Sequence, residues 1–336
     1  MRALRLYTGN VVYGRLPQGC RLCLRGLKSV IFVTGLCPRR CFYCPISLER
    51  RGHDSFYANE RPVGSVGELV AEVAAAGSRG AGLTGGDPLA RLERTLEVIR
   101  ALKESFGSGF HIHLYTSGEL LSEQALDGLS RAGLDELRLH PEPADAARLL
   151  KLLERHRPPF SVGLEIPARP EAFEEALKLL ELANTSEVVE FVNVNELEVT
   201  ESNSAAMRRR GYELSEDGKT VRGSREVALR LVSAAESSGY GVSVHFCPAS
   251  SKDAYQLRLR LYRRGVASAR PHEMVSDEGT ILKALVPEDC ASVPSGLAFR
   301  GRLGLETSLL VAELLGARHS LVEELPDYRR TLLNVV

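Results

Sequence analysis

Short apolar runs alternate with amphipathic stretches along most of the chain. Lys28 to Thr34 (KSVIFVT) is apolar almost throughout, as a strand buried on both faces requires. Further strand-like runs are predicted at 81–84, 110–116, 136–140, 160–166, 188–194 and 241–246. Between them apolar positions recur at helical spacing. Leu92, Leu96, Ile99 and Leu102 mark one such face within a helix predicted over 89–106. Other helices are predicted over 66–76, 122–132, 144–156, 170–183 and 224–238, with Pro170 opening its helix.

Strands that alternate with helices imply a parallel sheet with right-handed crossovers. Eight units would close a barrel. The count here falls short, so the expected fold is α/β, a partial, open TIM-like (β/α)6 barrel over residues 28–248. Three regions lie outside the repeat. Residues 1–27 form a lead-in segment, 195–222 a polar insertion, and 249–336 a small C-terminal α+β module. Within that module the stretch from Glu273 to Val286 reads as two strands about an Asp277-Glu278-Gly279 turn, and Leu303 to Leu315 reads as a helix.

Lys+Arg and Asp+Glu both number 43 among the 336 residues. A zero formal charge excludes nucleic-acid wrapping by bulk electrostatics. No apolar run reaches the length of a membrane span, and the first residues lack a signal-peptide core, so a cytoplasmic location is expected. Seven cysteines, three of them within eight residues, then suggest metal binding rather than disulfides. Trp is absent and aromatics are 6%, so the core is expected to be aliphatic.

The sharpest signal is Cys37-Pro38-Arg39-Arg40-Cys41-Phe42-Tyr43-Cys44, directly after the first buried strand. Three thiolates in one loop can hold three irons of a cubane cluster and leave the fourth iron open. The C-x3-C-x2-C spacing, with Tyr43 as the aromatic, resembles the signature of the radical S-adenosylmethionine (radical SAM) superfamily. The resemblance implies a [4Fe-4S] cluster on Cys37, Cys41 and Cys44, with S-adenosylmethionine bound to the open iron. One electron then cleaves the sulfonium and releases a 5′-deoxyadenosyl radical. It also implies a ferredoxin- or flavodoxin-type electron donor. Gly85-Gly86-Asp87-Pro88 resembles the family's GGEP motif, whose backbone binds the methionine amino group; Asp87 stands where Glu is usual. Thr116-Ser117-Gly118 resembles its ribose contact, with Ser117 for Asn. The core looks most like the branch related to pyruvate formate-lyase activating enzyme, in a group of archaeal proteins without an assigned substrate.

Other strand ends supply candidates for cofactor or substrate contact. His140, Glu165, Asn193 and Asn195 would project at the barrel mouth, where catalytic groups gather. Each is equally readable as a helix cap or a satisfied polar group. His53 and Asp54 are expected to help cover the cluster loop. His111 and His113 share one strand face, and with no carboxylate beside them they read as a half-buried pair.

Cys20-Arg21-Leu22-Cys23 is a second metal-like pair, and His245 and Cys247 in VHFCP are its expected partners. The four make a Cys3His zinc site, or the three cysteines hold an auxiliary iron–sulfur cluster, or the thiols are unrelated. Cys290 has no partner by spacing. The run from Ser250 to Arg264 is basic, with Leu257, Leu259 and Leu261 at a spacing that suits no single helical face. A solvated, salt-bridged face is expected there, ahead of an RNA contact. Taken together these features predict a radical SAM enzyme acting on a small molecule or cofactor precursor. A glycyl-radical-enzyme activase and an RNA-modifying enzyme are the alternatives. A non-catalytic iron–sulfur or zinc protein is the reading from another class.

Overall fold

The computed structural model describes residues 2–336. Seven strands form its parallel centre: β1 (Lys28–Thr34), β2 (Gly80–Gly85), β3 (His111–Thr116), β4 (Glu136–Leu139), β5 (Ser161–Pro167), β6 (Val189–Asn195) and β7 (Ser243–Cys247). They lie side by side in chain order, as successive crossovers of one hand require. The sheet is a partial barrel with one strand more than the (β/α)6 expectation. It stays open because antiparallel strands occupy both edges. Val11–Tyr13 pairs with β7, and Tyr57–Ala58 pairs with β1.

The crossover helices are α2 (Val66–Ala75), α3 (Leu92–Phe106), α4 (Glu123–Ala132), α5 (Pro143–His156), α6 (Phe173–Thr185) and α8 (Ser224–Ser237), while α7 (Glu201–Arg209) lies in the polar insertion. Their starts follow local chemistry. Ser65 and Ser122 accept the Glu68 and Ala125 backbone N–H groups, which satisfies otherwise orphaned donors. Pro143 opens α5 at a position that needs no N–H. The aliphatic faces of these helices cover the outer strand residues. Leu137, Leu139, Val162, Leu164, Val192 and Val194 all sit in this core, each almost wholly buried. Burial of each such side chain contributes about 1.5–3 kcal/mol.

The alternate residues point into the barrel lumen, and there they are polar. On β4, Glu136 and Arg138 are buried beside each other rather than against the helices. The lead-in segment occupies this lumen as α1 (Gln18–Cys23). Gly19 makes this seat possible. A Cβ there would come within 2.5 Å of His113 Nδ1 and 2.7 Å of Arg138 Nη2. Its N–H donates to Glu136 Oε2 at 3.2 Å.

The C-terminal residues build a second, antiparallel six-stranded sheet. Met274–Val275 and Ile281–Val286 form its hairpin about Gly279, as expected. The helix expected over Leu303 to Leu315 is shortened to Leu309–Leu314. Leu305–Thr307 is instead a strand paired with Ile281–Val286, and Ser308 caps the helix by accepting the Val311 N–H. Glu306 and Thr307 are wholly buried in that strand. His272, Glu273 and Glu306 place metal-capable atoms within 4.8 Å of one another, but the Lys283 ammonium lies 2.9 Å from Glu306 and 3.1 Å from Glu324. With Arg330 on Glu273 and Arg302 near Glu324, this is an ionic core.

A π-helical stretch, Lys252–Leu257, runs into α9 (Arg258–Ser268). The leucines do not mark its packed face: Leu257 is exposed, and the buried side chains of α9 are Arg260 and Arg264. Arg260 pairs with Glu60 and Arg264 with Glu72 on the barrel, and Arg258 with Glu278. The basic run is thus spent within the molecule. No described helix is long and apolar enough to cross a membrane.

Candidate active site

The cysteine loop leaves the end of β1 and is clamped at its base. The Gly35 N–H donates to the His53 carbonyl and the Gly52 N–H to the Gly35 carbonyl, each at 2.8 Å. Asp54 accepts from Thr34 Oγ1, Arg91 and Arg94, each at 2.8 Å. The Arg94 contact leads in holding its carboxyl well below the usual range. His53 and Asp54 therefore close the loop rather than cover it. Cys37, Cys41 and Cys44 are all free thiols. Burial pushes Cys37 up to about 11, against the Arg39 N–H that reaches its sulfur at 3.4 Å, and burial also raises Cys41.

All three sulfur-bearing residues line one cavity of about 650 Å³ at the C-terminal ends of the strands. Among the described residues, no three Cys or His ligand atoms here fall within 4.8 Å of one another. A single tetrahedral zinc with thiolates at about 2.3 Å needs sulfurs about 3.8 Å apart. Three thiolates on one C-x3-C-x2-C loop are the donor set that a [4Fe-4S] cluster with one open iron takes. The Arg39 side chain lines the same cavity, held by Glu119 at 2.6 Å and the His140 carbonyl, with its buried Nη2 unpartnered.

Gly85 and Gly86 also line the cavity. Their missing Cβ atoms face protein backbone. A Cβ on Gly85 would meet the Thr34 carbonyl at 2.2 Å, and one on Gly86 the Leu36 carbonyl at 2.3 Å. Gly85 also has φ +134°. The Gly86 and Asp87 N–H groups bond the Thr34 and Leu36 carbonyls at 2.7 and 2.8 Å. The glycines weld the end of β2 to the root of the cysteine loop. Gly85→Ala is expected to cost about 1–3 kcal/mol through the strained φ, more if the loop root cannot shift. Thermal unfolding checks this; an unchanged midpoint would show that the weld is unimportant.

Asp87 does not line the cavity, and its carboxylate is wholly buried. It accepts from Leu89 N–H, Thr116 Oγ1, Ser117 N–H and Ser117 Oγ, the last at 2.6 Å. Its effect is to fix Ser117, which does line the cavity. Tyr43 and His140 act as a pair. Burial lowers the His140 pKa, so the ring is neutral. Its Nδ1 meets the Glu165 carbonyl at 2.9 Å, so Nε2 accepts the Tyr43 hydroxyl at 2.9 Å. Phe42 stacks on Tyr212, and Asn203 Nδ2 donates to the Tyr43 carbonyl at 3.0 Å. The insertion thereby walls the cysteine loop.

Glu165 and Asn195 line the floor of this cavity and also the roof of a smaller one, about 80 Å³, inside the lumen. Asn193 lines the inner cavity. It bonds Glu165 at 2.7 Å and lies 3.0 Å from His245 Nδ1. The other His245 nitrogen lies 2.7 Å from Asn10. Burial lowers His245 to about 3, so its ring is neutral. Cys20, Cys23, Cys247 and His245 all line the inner cavity. Burial pushes Cys20 up to about 11 and Cys247 to about 12.

Arg138 is the residue that sequence reasoning missed. It contacts Glu136, Glu165 Oε1 at 2.9 Å and Cys20 Sγ at 3.3 Å. His111 lies 3.5 Å from Glu136, so the histidine pair does have a carboxylate beside it. His113, kept neutral chiefly by burial, faces Lys28 Nζ at 3.3 Å. The available signal was the charge alternation Glu136-Leu137-Arg138-Leu139 in a strand buried on both faces.

Comparison with known proteins agrees with this geometry. Residues 31–195 match the Radical SAM superfamily. A Methanocaldococcus jannaschii protein, provisionally named a glycyl-radical enzyme activating enzyme, is 38% identical over 284 residues, covering 82% of this chain and 74% of its own. A PqqA peptide cyclase of a Methylobacterium species is 34% identical over 34% of this chain and 28% of its own. The structure of Streptococcus suis SuiB bound to its precursor peptide SuiA overlaps 68% of this chain and 50% of its own, at 13% identity and a TM-score of 0.49. With the cysteine loop, the Gly85-Gly86 edge and the partial barrel in place, the chain belongs to the radical SAM superfamily of enzymes.

Proposed function

We propose that the chain holds a [4Fe-4S] cluster on Cys37, Cys41 and Cys44, binds S-adenosylmethionine beside it, and takes a hydrogen atom from a small polar substrate. The supporting observation is the shared cavity, which joins the three loop cysteines to Gly85, Ser117, Glu165 and Asn195. When bound, the cluster and S-adenosylmethionine supply a 5′-deoxyadenosyl radical, at the expense of one electron from a ferredoxin- or flavodoxin-type donor.

The chain's own residues orient and enclose. Asp87 holds Ser117 in the wall, and His140 holds Tyr43 over the cysteine loop. Arg39, held by Glu119 and the His140 carbonyl, lines the cavity. Glu165 and Asn195 give a polar floor on which a small substrate can hydrogen-bond. The insertion packs on Phe42 and Tyr43 and so backs the cysteine loop. A floor plugged by α1 favours a small molecule held above it.

The name of the M. jannaschii relative supports a second reading, activation of a glycyl-radical enzyme. One experiment separates the two. The anaerobically reconstituted enzyme is given S-adenosylmethionine, dithionite and either the low-molecular-mass or the protein fraction of a cell extract. A small-molecule substrate predicts that only the first fraction raises 5′-deoxyadenosine above the uncoupled rate. Stimulation by the protein fraction alone, with a glycyl-radical signal by electron paramagnetic resonance, would establish the activase instead.

A further inference from the structure

We infer that Cys20, Cys23 and Cys247 hold a second iron–sulfur cluster inside the barrel lumen, directly beneath the cofactor cavity. Cys20 and Cys23 lie one helical turn apart on α1, and Cys247 ends β7 on the far side of the sheet from β1. All three are free and line one inner cavity. The seat of α1 in the lumen brings them together, because Gly19 lets the helix lie against β3 and β4.

The surroundings are built for a multi-atom, thiolate-bound group. Arg138 Nη2 and Asn193 Nδ2 point at Cys20 Sγ at 3.3 and 3.6 Å. Gln256 Nε2 lies 3.9 Å from Cys247 Sγ. Lys28 and Lys252 line the same space; Arg138 is paired with Glu136 and Glu165 and Lys252 with Glu198, and Lys28 has no carboxylate partner among the described residues. A metal displaces the thiol protons on binding, and the resulting negative charge faces the Lys28 ammonium and the Arg138 guanidinium.

Two observations favour a cluster over a single zinc. His245 lies 3.0 Å from Asn193 and 2.7 Å from Asn10, so the asparagines hold its ring and three thiols form the ligand set. A cavity of about 80 Å³ also exceeds what one ion needs, since a single water takes about 10–15 Å³ of such space. Tyr115, Glu165 and Asn195 line both cavities, so one layer of side chains separates the second group from the first. Three protein ligands leave one iron open, as in the loop above.

The test counts metal in the full chain after anaerobic reconstitution with iron and sulfide. Wild type is expected to hold about eight irons and eight sulfides. The triple variant Cys37→Ala/Cys41→Ala/Cys44→Ala is expected to keep about four, and so is Cys20→Ala/Cys247→Ala, each checked for folding by circular dichroism. Retention of iron by the triple variant does not depend on the loop cluster, so failure of one site is distinguishable from failure of the other. An iron-free, folded triple variant would overturn the inference. So would one zinc per chain that is lost on Cys23→Ser.

Discussion

Cys41→Ala is expected to abolish 5′-deoxyadenosine formation while the chain stays folded. The loop's geometry does not depend on this thiol. Its base is held by the Gly35 and Gly52 backbone bonds and by Asp54 with Arg91 and Arg94, and Arg51 bonds the Cys41 carbonyl rather than its side chain. Removing one sulfur from a half-buried position should change stability by about 1 kcal/mol at most. Its effect on chemistry is far larger, because two thiolates cannot hold a cluster that leaves one iron open. A loss of about 10³-fold or more in turnover corresponds to at least about 4 kcal/mol of transition-state stabilisation. The assay is anaerobic, with dithionite and product quantified by chromatography, beside thermal unfolding of the same preparation. Turnover at the wild-type rate would remove the cluster from these residues. A collapsed unfolding midpoint would show that the loop is not clamped as described.

What the sequence made legible, and what it hid, follows from how local each signal is. The β1 run and the helices carry their periodicity within one element, and seven parallel strands appear close to where the apolar runs stand. The cysteine loop is eight contiguous residues, so its chemistry needed no tertiary knowledge. The role of Asp87 did. A carboxylate after two glycines reads as a ligand contact, yet its partners Thr116 and Ser117 come from the next strand. The lumen was hidden for the same reason. Nothing near Cys20 announces that α1 enters the barrel, and the cost of a Cβ at Gly19 is visible only against His113 and Arg138. In α9 the packed face is carried by Arg260 and Arg264, paired with Glu60 and Glu72, so a reading based on apolar period could not find it.

The lumen also explains why the sheet tolerates polar residues on strands buried on both faces. Each inward group finds a partner on a neighbouring strand or on α1. Glu136 meets Arg138, His111 and the Gly19 N–H, while Glu165 meets Arg138, Asn193 and Asn195. The network sits between the two proposed metal positions, so the groups that would orient substrate and second cluster are held by the same guanidinium.

Replacing that guanidinium is the stability change expected to be largest. Arg138→Met keeps much of the side-chain volume but leaves the Glu136 and Glu165 carboxylates buried without their cation. Breaking a buried pair in this way costs about 3–5 kcal/mol, a large part of the roughly 5–15 kcal/mol of a typical domain. The pH dependence gives the test its sign. Burial of Glu136 would raise its pKa, but Arg138 and His111 bring it down to about 2. A depressed carboxylate contributes stability that is present above its unfolded value of about 4.3 and lost as pH falls through about 2. Without Arg138 the burial dominates, and the folded pKa of Glu136 rises above the unfolded value. Its contribution then reverses, and the variant gains stability as pH falls from neutrality. Urea midpoints at pH 7, 6 and 5 should therefore converge between the two proteins, and Glu136→Gln in the Arg138→Met background should recover part of the loss at pH 7. Equal midpoints at pH 7, or a gap that widens on acidification, would mean that Arg138 does not carry the lumen network.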